Sequence, residues 1–333
     1  MKVIVFSTHH YDQASLGQAN KQPGFNFDLV YHDTGLNRDT AALANGFDAV
    51  CVFVNDVVDE AVLSQLAKGG TKLVALRCAG FNNVNRQAAA KLGITVLRVP
   101  AYSPYSVAEF TVGQLLALDR KICQAWLRVR LDNFSLDGLV GHDLHGRTIG
   151  VLGTGKIGSL VAKAFKLGFG CEVIASDIIR NKELEGFGVK YVDHDELFSK
   201  SDVLCLHAPL NSETHHIINA DTLAKVKPGM LLVNTSRGGL VDTSALIEAL
   251  EKGTLGGCAI DVYEEEAKLF FRDRSTMIVK DDKFQRLITF PNVLVTGHQA
   301  FFTEEALAGI AGTTLQNVAD FAAGKPNQQR QVL

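Results

Sequence analysis

Four polar side chains, Arg237, Asp261, Glu266 and His298, each follow closely on an apolar run of the sequence. Histidine is the side chain best suited to donating a proton near neutral pH, and a nearby carboxylate stabilises its charged form. Arginine binds a carboxylate through two parallel hydrogen bonds. Combined with a hydride donor, the set suits reduction of a 2-oxo acid: Arg237 holds the substrate carboxylate, and His298, paired with Glu266, exchanges the proton.

Each assignment has a structural alternative. A buried salt bridge of Arg237 with Glu266 or Asp261 would explain these charges without catalysis, and His298 would then be a hydrogen-bonded histidine of the core. The predicted position of each residue at the end of a strand favours the catalytic interpretation, because ligands of parallel α/β sheets bind at that edge.

A glycine-rich turn in the middle of the chain indicates the hydride donor. An apolar strand runs into G-x-G-x-x-G, a helical pattern follows, and the next strand ends in an acid about 20 residues beyond the last glycine. The glycines allow a tight turn and bring a pyrophosphate close to the helix N-terminus, while the acid binds ribose hydroxyls. The cofactor contacts predicted here are Gly153, Thr154, Gly155, Lys156, Ile157, Gly158 and Asp177.

The acid also indicates which dinucleotide binds. The Asp177 carboxylate repels the additional phosphate of NADP, so NAD is the predicted cofactor, although Arg180 offsets part of this repulsion. The alternative is a glycine-rich turn that binds nothing.

Further candidates lie at other strand ends. The backbone N–H groups of Cys78, Ala79 and Gly80 could bind the substrate carboxylate from another domain, so that catalysis would require domain closure. His207 could contact the nicotinamide or simply pack in the core. Additional cofactor contacts are predicted at Ala208, Pro209 and Thr235.

The two adjacent histidine pairs are not predicted to bind metal. His215 and His216 have no carboxylate or cysteine at ligand spacing, so a solvated loop or helix start is expected there, and His9 and His10 are interpreted in the same way. No metal is therefore predicted for the site.

The elements that position these residues alternate between strand and helix. Five apolar runs in the first hundred residues and seven between residues 148 and 298 are separated by helical patterns, which is typical of parallel sheets covered on both faces. The predicted fold is α/β, with two Rossmann-like, doubly wound parallel-sheet domains and a cleft between them. Residues 1–101 plus 299–333 would bind substrate, and residues 102–298 would bind NAD. A helix is predicted near 37–44 and a long helix over 106–132, and the connection 264–291 is predicted to be a lid or an oligomer contact.

Composition excludes several classes of protein. A net charge of −3 and a pI near 6.4 provide no basic surface for nucleic acid, and no apolar stretch is long enough to span a membrane. The six cysteines are widely spaced, with no C-x-x-C pair, so they are expected to be reduced. A cytoplasmic location is predicted.

Several motifs together resemble the D-specific 2-hydroxyacid dehydrogenase family over the whole chain. They are the mid-chain glycine turn, Leu206-His-Ala-Pro-Leu, Asn234-Thr-Ser-Arg-Gly-Gly, Asp261-Val-Tyr-Glu-Glu-Glu and Gly297-His-Gln-Ala. The segments Arg77-Cys-Ala-Gly-Phe-Asn-Asn, Val99-Pro-Ala-Tyr-Ser-Pro and Phe134-Ser-Leu are most similar to those of fermentative bacterial D-lactate dehydrogenases.

The resemblance implies a role for each residue of the site. It implies Arg237 as the carboxylate binder, His298 as acid and base, Glu266 as its partner in preference to Glu264 and Glu265, and Asp261 as a contact to the nicotinamide amide. Tyr102 resembles a tyrosine that reaches the substrate, whereas Phe301 stands where some relatives have tyrosine.

The resemblance also implies an activity and an assembly. The activity is NADH-dependent reduction of pyruvate to D-lactate, and the assembly is a homodimer or homotetramer. The alternatives are a reductase of larger or aromatic 2-oxo acids and an NAD(H)-sensing binding protein similar to the corepressors of this fold.

Overall fold

The computed structural model describes residues 1–332 and consists of two compact units. Unit 1 comprises Met1–Ser103 and the chain from Phe302 onward, and unit 2 is Pro104–Phe301. The predicted domain limits, 1–101 plus 299–333 and 102–298, differ from these by two or three residues. Leu333, the end of the predicted first domain, lies outside the described residues.

Strands and helices alternate along the chain. The strands are β1 (Lys2–Val5), β2 (Asp28–Tyr31), β3 (Ala49–Val52), β4 (Leu73–Leu76), β5 (Thr95–Leu97), β6 (Thr148–Leu152), β7 (Glu172–Ser176), β8 (Lys190–Tyr191), β9 (Val203–Leu206), β10 (Met230–Asn234), β11 (Leu255–Ile260) and β12 (Val293–Val295). The helices are α1 (His10–Ala19), α2 (Glu60–Lys68), α3 (Arg86–Lys91), α4 (Pro104–Asp119), α5 (Ile122–Val129), α6 (Lys156–Lys163), α7 (Lys182–Gly186), α8 (His194–Lys200), α9 (Ala220–Leu223), α10 (Thr243–Glu251), α11 (Asp282–Ile288) and α12 (Glu304–Ala322).

Unit 1 contains a parallel sheet of five strands in the order β2-β1-β3-β4-β5. Every residue of β3 and β4 is buried, which agrees with their continuous apolar sequences and shows that both faces of the sheet are covered. The last helix, α12, packs against α1 and contributes Ala311, Leu315 and Val318 to this core.

Unit 2 contains a parallel sheet of seven strands in the order β12-β11-β10-β9-β6-β7-β8. The strand order reverses between β6 and β9, and the crevice beside such a reversal is where doubly wound folds bind ligands. The prediction of two parallel-sheet α/β domains is thus confirmed. No helix among the described residues is both long and apolar enough to cross a membrane.

Two helix predictions were wrong. The expected helix near residues 37–44 is a single 3-10 turn, Ala41–Ala44, because the Asn37 side-chain oxygen accepts the N–H groups of Asp39 and Thr40 and so forms a competing turn. The helix expected over 106–132 breaks between α4 and α5, where Lys121 has a φ of +52°. L-residues are strained in this left-handed region, so the helix cannot continue through it.

The connection 264–291 contains a 3-10 turn, Glu266–Lys268, and α11, and no strand within these described residues. Its predicted use as a lid or an oligomer contact stays a prediction.

Candidate active site

The glycine turn after β6 has the shape that a dinucleotide pyrophosphate needs. Gly153 has a φ of +90°, and a Cβ there would lie 2.6 Å from the Ala208 backbone nitrogen. A Cβ on Gly158 would overlap the Gly153 carbonyl oxygen, so this residue allows the helix to pack on the turn. A Cβ on Gly155 would instead enter open space. Gly155 thus leaves the turn accessible to a ligand, and the other two glycines create its close packing.

The N-terminus of α6 is also suited to binding an anion. Its N-cap residue is Gly155, which offers no side-chain hydrogen bond, so the first N–H groups, from Lys156 and Ile157 onward, are available to phosphate. Asp177 follows β7, and its Oδ2 accepts hydrogen bonds from the Thr154 backbone N–H and hydroxyl. Asp177 therefore braces the turn that would hold the pyrophosphate. These residues fit NAD, although the individual contacts stay predictions.

The remaining cofactor candidates lie beside this turn or beside the site. His207, Ala208 and Pro209 directly follow β9. The backbone of His207 and Ala208 packs against Gly153 in the glycine turn. Thr235 follows β10 and is buried, and its hydroxyl is hydrogen-bonded to that of Thr111 at 2.7 Å. Its side chain is thus engaged with α4, an attachment that sequence spacing could not reveal.

The burial of His207 predicts how the free energy of unfolding depends on pH. Its Nε2 is buried without a hydrogen-bond partner among the described residues, and burial lowers its pKa to about 4. The unfolded state, with a pKa near 6.5, binds the proton first as pH falls, so the contribution of His207 to stability is complete above pH 6.5 and is lost towards pH 4. We expect the free energy of unfolding to fall by about 2 kcal/mol more between pH 6.5 and 4.5 in the wild type than in His207→Gln. Urea unfolding at both pH values measures this, and parallel losses in the two proteins would contradict it.

His298 and Glu266 form a close pair at the ends of β12 and β11. His298 Nδ1 lies 2.7 Å from Glu266 Oε1, and each side chain is less than a fifth exposed. The Tyr263 backbone N–H donates to Glu266 Oε2 at 2.9 Å, which fixes the carboxylate. Because Nδ1 is engaged, Nε2 is the nitrogen left for proton exchange with a substrate.

Asp261 holds the segment that carries His298. Its buried carboxylate accepts hydrogen bonds from the Thr296 hydroxyl and from the backbone N–H groups of Gln299 (2.9 Å) and Ala300 (2.8 Å). Its carbonyl oxygen accepts the His298 N–H at 2.7 Å, and His298 has a φ of +55°. These bonds hold His298 in a strained backbone conformation, which is a common feature of functional sites. The implied contact of Asp261 with the nicotinamide amide stays a prediction.

Arg237 is not part of a structural salt bridge. Its Nη1 donates to the Ser236 carbonyl oxygen at 2.6 Å, and among residues 1–332 no carboxylate lies within ion-pair distance of it. The backbone beside it is close-packed, since a Cβ on Gly238 would overlap the backbone of Tyr263. The Arg237 turn is therefore in contact with the segment that carries Glu266, and Arg237 itself is a half-buried cation available to an anionic ligand.

The predicted substrate contacts of unit 1 follow β4 and β5. Cys78 is buried, Ala79 and Gly80 are partly exposed, and the Arg98 guanidinium donates to the Ala79 carbonyl oxygen at 2.9 Å. Tyr102 packs its backbone beside Gly309 of α12. Their contacts with substrate stay predictions.

Sequence reasoning missed two contacts between ionisable side chains. Arg77, before Cys78, is 2% exposed and lies 3.0 Å from Asp12, and it thereby anchors the loop after β4. His216 Nε2 lies 2.6 Å from Glu264 Oε1. Glu264 is distant from His216 in sequence, so sequence spacing does not reveal this carboxylate.

Comparison with known proteins gives the family. The model of the D-isomer specific 2-hydroxyacid dehydrogenase NAD binding domain matches residues 112–300. The chain is 58% identical to 2-hydroxyacid dehydrogenase homolog 1 of Schizosaccharomyces pombe, over 97% of each protein. It is 48% identical to D-lactate dehydrogenase of Escherichia coli, over 98% of this chain and 99% of that one. A solved structure described as the pyruvate reductase of Chlamydomonas reinhardtii superposes with a TM-score of 0.91 and 44% identity, over 98% and 97% of the two chains.

These findings confirm the resemblance and the predicted cofactor. The chain belongs to the D-isomer specific 2-hydroxyacid dehydrogenase family and is an NAD-dependent oxidoreductase.

Proposed function

We propose that the protein reduces pyruvate to D-lactate with NADH. The observation that carries this proposal is the half-buried Arg237, without a carboxylate partner among the described residues, at the end of β10, beside the strands that bring His298 and Glu266 together. The relatives described as D-lactate dehydrogenase and pyruvate reductase support pyruvate as the substrate.

The geometry supplies the protein's part of the reaction. Arg237 binds the substrate carboxylate through its guanidinium and so orients the carbonyl group. His298 donates the proton on Nε2 to the carbonyl oxygen, while Glu266 accepts the hydrogen bond from Nδ1 and stabilises the imidazolium form. NADH, when bound, supplies the hydride to the carbonyl carbon. The products are the 2-hydroxy acid, NAD⁺ and a neutral His298 that is ready to be protonated again.

Other residues are proposed in supporting roles. Asp261 keeps His298 in place through its bonds to the segment 296–300. Cys78, Ala79 and Gly80 are proposed to bind the substrate through backbone N–H groups, and Tyr102 through its side chain.

The test is NADH oxidation with pyruvate, 2-oxobutyrate and phenylpyruvate assayed in parallel, followed by a stereospecific assay of the lactate formed. We expect the highest kcat/KM with pyruvate and D-lactate as the product. Faster turnover of phenylpyruvate would reassign the enzyme to larger or aromatic 2-oxo acids. No turnover with any of the three substrates would favour the NAD(H)-sensing alternative.

The oligomer is part of the same proposal. An exposed apolar surface runs along α5 and the segment after it, and it includes Trp126 (62% exposed), Phe134 (71%) and Leu136 (79%). Apolar side chains so concentrated on a surface indicate a protein interface. We propose that a second copy of the chain covers this surface, in a homodimer or a homotetramer. The cytoplasmic location stays a prediction.

A further inference from the structure

The adjacent histidines His215 and His216 lie beside the site, and the folded chain places the Glu264 carboxylate next to them. His215, His216 and Glu264 each place one ligand atom within 4.8 Å of the others. The two imidazole rings are stacked with centroids 3.9 Å apart, and His216 Nε2 is 2.6 Å from Glu264 Oε1. Two imidazoles and one carboxylate form a donor set that is typical of zinc sites with an open position.

Glu264 and His216 are each held by neighbouring groups. Thr243 donates its hydroxyl to Glu264 Oε2 at 3.0 Å, which leaves Oε1 directed to the histidine. The His216 N–H donates to the Gly239 carbonyl oxygen and Asn219 Nδ2 donates to the His216 carbonyl oxygen, both at 2.9 Å. Such secondary hydrogen bonds orient the ligands of metal sites.

The backbone at His216 is strained. His216 has a φ of +52°, a conformation that costs free energy in a residue other than glycine. The contacts of His216 with its neighbours therefore outweigh its own backbone preference, and the fold imposes the position of the imidazole.

We propose that His215, His216 and Glu264 form a binding site for a divalent cation of the zinc class, and that the bound cation inhibits the enzyme. Imidazole ligands select Zn²⁺ and its transition-metal neighbours over Mg²⁺ and Ca²⁺, which prefer oxygen.

Inhibition follows from what the three ligands are attached to. Glu264 is two residues before Glu266, the partner of His298, and His216 is bonded to Gly239, two residues after Arg237. Metal ligation requires Glu264 and His216 to separate from their hydrogen-bonded distance, because two ligands of one zinc ion do not lie as close as 2.6 Å. That movement disturbs both segments that carry catalytic groups. This part of the proposal depends on the proposed function, whereas the binding part does not.

Zinc binding is measured on the full chain by isothermal titration calorimetry at pH 7.5, with ZnCl₂ and without NADH or pyruvate. All variants carry Cys123→Ser, because Cys123 is the exposed cysteine among the described residues and a thiol would bind zinc. We expect one Zn²⁺ per chain, unchanged by millimolar Mg²⁺, with affinity at least about tenfold weaker in His215→Gln and in Glu264→Gln. His215 is exposed, so its replacement keeps the test interpretable if Glu264→Gln does not fold.

The matched control is the other adjacent pair. His9→Gln with His10→Gln removes two neighbouring histidines outside this cluster and should leave zinc affinity unchanged. Equal zinc affinity in His215→Gln and in the parent protein, which carries only Cys123→Ser, would overturn the site.

In turnover assays Zn²⁺ should inhibit the parent protein, and EDTA should reverse this inhibition. His215→Gln should keep its turnover at the same Zn²⁺ concentration. If the parent protein binds Zn²⁺ at this site and keeps full turnover, only the proposed inhibition is overturned. If it binds Zn²⁺ but reduces no 2-oxo acid, only the proposed function is overturned.

Discussion

His298→Gln reduces kcat for pyruvate by about 10²–10⁴-fold, the range that general acid and base catalysis contributes. Glutamine fills similar space and keeps hydrogen-bonding groups near Glu266, but it cannot donate the proton that Nε2 supplies. The dissociation constant of NADH should change less than about twofold, because the glycine turn that we assign to the cofactor lies after β6 and His298 follows β12. Stopped-flow measurement of a single turnover, with NADH fluorescence as the binding readout, separates the two effects.

The control for this variant is another histidine paired with a carboxylate. His142 Nδ1 lies 2.8 Å from Asp119 Oδ1, and the His142 backbone N–H donates to Asp119 Oδ2 at the end of α4. The His142 side chain is exposed. His142→Gln should therefore keep wild-type kcat. If His298→Gln retained more than about a tenth of the wild-type rate, His298 would not be the main proton donor, and the assignment would fail.

The sheets, and the grouping of Arg237, Glu266 and His298 at one sheet edge, were predictable because both depend on local patterns. Apart from the short β8, the described strands are mainly apolar runs of three to six residues, and parallel strands end at one edge, so the sequence places Arg237, Glu266 and His298 at the same edge. The neighbouring order β10-β11-β12 places the ends of these three strands side by side, and His298 contacts Glu266 there. The glycine turn was predictable for a similar reason, since its spacing reflects contacts made within a few residues.

What could not be predicted depends on contacts between distant segments. The Asp119 carboxylate at the end of α4 accepts a hydrogen bond from the backbone N–H of His142, and the helix breaks at Lys121 although the helical periodicity continues beyond it. In the same way, Glu264 reaches His216 only because the Gly238 turn packs on the backbone at Tyr263. Periodicity and spacing contain no information on such pairings, which arise only when strand order brings loops together.

Arg237→Lys lowers kcat/KM for pyruvate by at least about 10²-fold. Lysine keeps the charge but loses the planar pair of N–H groups that matches a carboxylate, and a hydrogen bond to a charged group is worth about 1.5–3 kcal/mol. Because the carboxylate is bound in both the ground state and the transition state, most of the loss should appear in KM, with a smaller loss in kcat from poorer orientation of the carbonyl. Steady-state kinetics over pyruvate concentration, at saturating NADH, provides both values.

A substrate without a carboxylate isolates the contribution of Arg237. A 2-oxo aldehyde has the same reacting carbonyl but no anion, so its slow reduction should be nearly equal in wild type and Arg237→Lys. The matched control is Arg286→Lys on α11, an exposed arginine that contacts Glu251 at 2.9 Å and should leave both substrates unaffected. If Arg237→Lys lowered kcat/KM by the same factor for the aldehyde as for pyruvate, the guanidinium would be acting on the reacting carbonyl or on the fold. The unpaired cation at the end of β10 would then need a role other than carboxylate binding.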